Sequence, residues 1–214
     1  MKANHASEGV VKYRLEFLAA ESPQEDIRAL NVWRSILFEL GLIGQDASRY
    51  QGYGFGNLSQ RSEQNSSSFI ISGTQTGHLA RLEAEHYVEV VECDLEQNRV
   101  SARGRVKPSS EALTHAMFYR LSAEIECVIH VHSPRLWQFG LAHGYPASAR
   151  NIEYGTQQMA QEIERLFHQQ DLSQERVLVM EGHEDGVICF GNSVDQAAMA
   201  LLKYWVKARL DGEP

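Results

Sequence analysis

No Cys-x-x-Cys pair occurs in this chain; its three cysteines, Cys93, Cys127 and Cys189, are odd in number, far apart and set in apolar runs. A disulfide framework and a cysteine zinc knuckle are thereby excluded, and free thiols suit a reducing compartment. No apolar stretch approaches the roughly 20 residues that a spanning helix needs, and Met1 to Gly9 lack the apolar core of a secretory signal. Basic residues form no stripe, and the net charge is −8, which argues against a general nucleic-acid binder. A linker or low-complexity segment is missing too. The 214 residues are therefore expected to fold as one domain, 1–214, in the cytoplasm, with residues 1–20 as a mobile amino-terminal arm and neither membrane nor nucleic acid as partner.

What is present reads as alternating strands and helices. Ile27, Leu30, Trp33, Leu37 and Leu40 recur at helical spacing, predicting a helix over 24–40 with Ser22 as cap, Pro23 in the first turn and Gly41 as stop. Short strands are expected at 69–71, 87–93, 99–102, 125–131, 176–180 and 187–190. Further helices are expected at 112–121 behind Ser109 as cap, after Ser133-Pro134, from Met159 to Phe167, and from Val194 to Leu210. The mixture points to α/β layers rather than a regular βαβ repeat.

At the end of the β-branched run Cys127 to Val131 stand His130 and His132. Residues two apart on a strand face the same side, so both imidazoles would point at one spot, which is metal-ligand geometry. The competing reading is that they merely end a strand. A third ligand would strengthen the metal reading, and His183, in the glycine-flanked turn Gly182-His183-Glu184-Asp185-Gly186, ranks ahead of His115. His115 is the rival because it lies one helical turn after Glu111 and shares its face. Three neutral imidazoles would leave a divalent ion its full charge, making it a strong Lewis acid for reactions that build negative charge on oxygen. Glu111 is the candidate base, against the plainer reading of a first-turn acid that complements the helix dipole.

Two glycine-rich loops, 52–57 and 72–77, have the small polar character of anion sites. Asn57, Thr74, Thr76, Ser109 and Ser110 offer donors there, and Arg61, Arg103, Arg105, Lys107 and Arg135 could add charge, although such loops are often plain turns.

Taken in order, Gly56-Asn57-Leu58-Ser59, the 72–77 loop, Pro108-Ser109-Ser110-Glu111, His130-Val131-His132 and Gly182-His183 resemble the class II aldolase and adducin head family, over about Trp33 to Leu210. The resemblance implies a three-layer α/β/α sandwich around a mostly antiparallel sheet, assembled as a homotetramer. It implies zinc, or another divalent metal, on His130, His132 and His183, with Glu111 as catalytic acid/base. Asn57, Ser109 and Ser110 would hold a substrate phosphate, joined by Gly73, Thr74, Thr76 and Gly77 from the second loop. The implied activity is aldol cleavage or condensation of a small, phosphorylated hydroxy-ketone through an enediolate. Dehydration or epimerisation of a ketose phosphate, and a noncatalytic adducin-like scaffold, are the alternatives. Two departures stand out: Glu184-Asp185 separate His183 from the next glycine, and no tyrosine follows Leu210, for which Tyr154 and Tyr204 are candidate substitutes without a motif match.

Overall fold

A computed structural model of the chain describes residues 11–62, 67–169 and 172–211. In chain order the elements are β1 (Arg14–Ala19), α1 (Arg28–Glu39), β2 (Gly44–Gln45), β3 (Gly54–Phe55), β4 (Asn57–Arg61), β5 (Phe69–Ser72), β6 (Tyr87–Asp94) and β7 (Arg99–Gly104). There follow α2 (Ala112–Leu121), β8 (Cys127–His132), α3 (Pro134–Ala142), α4 (Gln157–Gln169), α5 (Leu172–Glu175), β9 (Val177–Val179), β10 (Gly186–Gly191) and α6 (Val194–Leu210). Eight strands form one sheet in the order β1-β7-β6-β5-β4-β8-β10-β9. All neighbours in it are antiparallel except β1 and β7, which run parallel.

Both faces of the sheet are covered, which is why strands β5, β8, β9 and β10 are buried along their whole length and read as continuous apolar runs. Strand alternation sorts their side chains into two cores. Phe69, Ile71, Val128, Ile188 and Phe190 meet Leu113 and Met117 of α2 and Met159, Ile163 and Leu166 of α4. Ile70, Ile129, Val131, Val187 and Cys189 meet Leu30 and Leu37 of α1, Leu136 of α3, and Leu201 and Tyr204 of α6. The result is a three-layer α/β/α sandwich around a mostly antiparallel sheet.

Several local expectations need correction. Residues 14–19 are an edge strand, not a mobile arm; hydrogen bonding to β7 fixes them, and residues 1–10 lie outside the described residues. Helix α1 starts at Arg28 rather than at 24, because the Asp26 carboxylate accepts from the Arg28 N–H and turns the chain there. Its far end does stop at Gly41. Gly41 has φ +68°, its N–H reaches the Phe38 carbonyl and that of Leu42 reaches Leu37, a Schellman closure that glycine permits without strain. Arg34 lies in the buried stripe of α1. Its guanidinium donates to the carbonyls of Thr76, Leu79 and Ala80, so the apolar spacing conceals a cation that grips the second glycine loop. Helix α2 is capped at Glu111 instead of Ser109, whose hydroxyl accepts from the Glu111 N–H at 3.3 Å.

Candidate metal centre

Register assembles the site. His130 of β8 lies opposite Asn57 of β4 on one side and Ile188 of β10 on the other, and Gly186 lies opposite His132. Both imidazoles leave β8 on the face covered by α2 and α4. His183 arrives from the turn between β9 and β10, closed by hydrogen bonds from His183 N to Met180 O and from Gly186 N to His183 O. Gly186 keeps the space open: a Cβ there would stand 3.2 Å from both His130 Cε1 and His183 Nδ1.

The three rings offer ligand nitrogens that all lie within 4.8 Å of one another, and His130 Nε2 faces His132 Nε2 at 3.0 Å. Zinc–nitrogen bonds of about 2.0–2.1 Å in a tetrahedron put donors about 3.3 Å apart, so the donor set and its spacing fit a divalent ion. Electrostatics favour the ligating form. Burial first, then the neighbouring His132 and His183, hold the His130 imidazole well below the usual histidine range, leaving it neutral with a lone pair to give. Glu111 is fully buried, and its Oε1 is 3.3 Å from His183 Nδ1.

His115 stands apart from this cluster. Its Nδ1 meets Ser59 Oγ at 2.7 Å, Ser59 Oγ meets the Tyr119 hydroxyl at 2.6 Å, and burial lowers the imidazole to a pKa of about 3. Ser59 on β4 and Tyr119 on α2 thus claim the side chain that the helical spacing had offered as a rival ligand.

Beside the histidines, one small pocket is lined by Asn57, Gly73, Thr74, Thr76, Gly77, Ser109 and Ser110, together with Gly54, Gly56 and Gln75. The loops close on each other because glycines allow it: a Cβ on Gly77 would fall 2.8 Å from Gly54 Cα. Gly73 N donates to His86 O and Thr74 N to Lys107 O, tying the second loop to the turn before Ser109. Asn57 Oδ1 is buried without a hydrogen-bond partner, a polar atom directed at something other than protein. Four of the five cations that could have added positive charge are engaged elsewhere, and Lys107, exposed, reaches the second loop through its carbonyl. Arg61 donates to Tyr119 O, Ser122 O and Ile125 O, Arg103 pairs with Glu89, Arg105 with Glu21, and Arg135 binds the Ala208 and Arg209 carbonyls.

Tyr50 and Gln75 escaped the sequence reading, and Tyr154 was singled out there without a motif match. Tyr154 stacks on His183, with centroids 4.2 Å apart and planes at 26°. Tyr50 meets the His132 ring edge-on at 4.8 Å, and its hydroxyl donates to Asp185 Oδ2 at 2.7 Å. Gln75 accepts from Gly54 N. The Glu184-Asp185 departure signalled the turn, and the missing carboxyl-terminal tyrosine pointed to Tyr154. Glu184 is exposed, and Asp185, at φ +66°, spends its carboxylate on Tyr50. Tyr204 is structural, donating to the Leu136 carbonyl.

Comparison with known proteins agrees with this picture. The sequence profile of the Class II Aldolase and Adducin N-terminal domain matches residues 45–207. Methylthioribulose-1-phosphate dehydratases of Xanthomonas euvesicatoria pv. vesicatoria and Stenotrophomonas maltophilia are each 37% identical over 79 residues, 36% of this chain. That stretch spans only 32% and 33% of those relatives' own length. Among solved structures, the sugar-phosphate aldolase of Thermotoga maritima aligns with TM-score 0.64 at 15% identity, covering 86% of this chain and 92% of that one. The l-fuculose-1-phosphate aldolase of Thermus thermophilus aligns with TM-score 0.55 at 20% identity, covering 87% and 96%. At such identities the likeness concerns the fold.

Proposed function

Because the chain belongs to the class II aldolase and adducin N-terminal domain family, we propose that it is a metal-dependent lyase acting on a small phosphorylated hydroxy-ketone. The observation that carries this reading is the convergence of three buried imidazoles with a buried carboxylate. His130, His132 and His183 would hold zinc or a similar divalent ion, which when bound supplies Lewis acidity that favours negative charge on an adjacent oxygen. Glu111 removes the proton from the carbon beside the substrate carbonyl, giving an enediolate, and carries that proton until it is returned. Full burial of Glu111 keeps water from competing for it. Asn57, Ser109 and Ser110, with Gly73, Thr74, Thr76 and Gly77, hold the phosphate and so fix the reacting carbon against Glu111.

The same enediolate serves both lyase outcomes. In dehydration it expels hydroxide from the adjacent carbon, and the hydroxide leaves as water with a proton. In aldol chemistry it adds to an aldehyde, and cleavage is the reverse, the enediolate forming as the carbon–carbon bond breaks and then taking its proton from Glu111. The 79-residue similarity to proteins named as dehydratases favours loss of water here. The chain would work in the cytoplasm as one domain within a homotetramer. Among the described residues, no helix is long and apolar enough to cross a membrane, and the three cysteines are free.

The zinc-loaded protein, incubated in heavy water with dihydroxyacetone phosphate, tests the common first step. Wild type should exchange the proton beside the carbonyl, and Glu111→Gln should do so about 10²–10⁴-fold more slowly, the usual worth of a positioned base. Equal, slow exchange by both proteins across a panel of hydroxy-ketones would turn the reading toward an adducin-like scaffold without catalysis. Methylthioribulose 1-phosphate separates the two lyase outcomes, since dehydration releases water and aldol cleavage an aldehyde.

A further inference from the structure

We propose that Lys12 and Tyr13, just ahead of β1, are positioning residues that hold His183 and the Glu111 turn at their working separation. This rests on the metal reading of the three histidines given above. The segment touches both halves of the site at once. The Tyr13 hydroxyl, buried, donates to the Ser109 carbonyl at 2.8 Å, two residues from Glu111. Next to it, Lys12 Nζ lies 3.8 Å from the centre of the Tyr154 ring, and His183 stacks 4.2 Å from that same centre. Two groups this close to one ring centre cannot share a face, so Lys12, Tyr154 and His183 form a sandwich with the tyrosine in the middle. Lys12 is pinned in turn by Glu153, at 2.9 Å, and its carbonyl accepts from Asn98 Nδ2 at 2.7 Å in the β6–β7 turn.

Why should the site need such a brace? His130 and His132 inherit their spacing from a strand paired on both sides, but His183 and Glu111 sit on a turn and a helix start that no ladder joins. An aromatic face holds an imidazole in one plane, and a cation on the opposite face of a tyrosine is itself attracted to the ring. The loop bearing Tyr154 also abuts the Ser109–Glu111 turn: a Cβ on Gly155 would fall 2.7 Å from the Ser110 carbonyl oxygen. Residues 12 and 13 therefore close a circuit running from Glu111 through Ser109 to Tyr13 and Lys12, then through Tyr154 to His183.

Zinc affinity of the full-length protein, read by competition with a chromophoric chelator, gives a signal that does not depend on turnover. Tyr154→Leu, which removes the stack, should weaken zinc binding about 10–100-fold, the usual cost of losing a group that orients a ligand. Tyr154→Phe, which keeps the ring, should stay within about twofold, and Lys12→Met should fall between them. Tyr13→Phe should leave zinc affinity unchanged and slow proton exchange by about tenfold through kcat at constant KM. If Tyr154→Leu and Lys12→Met, with unfolding midpoints showing them folded, bind zinc like wild type, the proposal is overturned. A wild type that binds no zinc overturns the metal reading and this one with it. A wild type that binds zinc but exchanges no proton sinks the lyase reading alone, and the variants' zinc affinities still decide the role of Lys12 and Tyr154.

Discussion

His130 and His132 on β8 and His183 in the turn before β10 bring the same chemical group to the same place by different means. The strand pair is placed by backbone: His130 has ladder partners on both sides, His132 pairs with Gly186 and donates its N–H to the Leu42 carbonyl, and alternation sets the face of both rings. The turn histidine is placed by a few backbone hydrogen bonds within its own turn and by side chains from remote segments, through Tyr154 at its face and through the Tyr50–Asp185 bond across the turn. A ladder is cooperative and hard to distort one residue at a time. A turn held by a few separate contacts yields when any of them goes, and Glu184-Asp185 within it are one of the two departures from the pattern that the chain otherwise resembles.

The sharpest way to break that comparison is to remove one ring from each side. His132→Ala leaves one strand ligand and one turn ligand, whereas His183→Ala leaves two preset strand ligands. Both should weaken zinc binding, His132→Ala by more than about 100-fold, beyond the range seen for outer partners, and His183→Ala by less. Equal losses would erase the distinction, and unchanged zinc content in both variants would sink the ligand assignment. A second test probes the buried polar seam beneath the strand side. His115 has a pKa of about 3 in the fold against 6.5 ordinarily, so between those values the unfolded chain binds the extra proton. Its contribution to stability is complete above about pH 6.5 and is lost as pH falls, with a slope of up to about 1.4 kcal/mol per pH unit for that one proton. In urea unfolding of the metal-free protein from pH 7 to 5, wild type should lose stability more steeply than His115→Asn, which keeps a polar partner for Ser59, the difference reaching up to that slope, while His130, also held neutral by burial, contributes to both proteins. Parallel slopes would mean that His115 is not held neutral.

What the sequence made legible follows the same division. Strand-borne features were readable because their period is local: His130 and His132 share a face by alternation alone, and the α6 stripe Ala197, Leu201, Tyr204 and Ala208 is buried as its spacing requires. The layered fold was equally open to a reader of apolar runs. The gathering of the two loops was legible in composition, since the seven small residues named for a phosphate line one pocket, but the charge around it was not. No local rule says that Arg34 will turn inward to three carbonyls, or that Arg61 will cap the end of α2 instead of facing an anion. The Lys12–Tyr154–His183 sandwich joins residues 12, 154 and 183, and nothing in the spacing of any one segment encodes it.

The smallest expected effect sharpens the comparison most, because it touches the turn without touching a ring. Asp185 sits at φ +66°, a left-handed conformation that Asp and Asn tolerate better than other side chains, so Asp185→Asn adds no backbone strain. It also keeps an oxygen for the Tyr50 hydroxyl. That O–H remains a donor at ordinary pH, because burial first and the bond to Asp185 second push its ionisation up. What changes is the charge on the acceptor, and trading a charge-assisted hydrogen bond for a neutral one costs about 1 kcal/mol. The expectation is therefore a loss of about 1 kcal/mol in urea unfolding, with zinc affinity reduced by no more than about threefold, since the Tyr154 stack still orients His183. A loss as large as that of His183→Ala would show that the Tyr50–Asp185 bond, rather than the stack, fixes the turn, and that the two inserted carboxylates are what set this site apart from the strand-held pair.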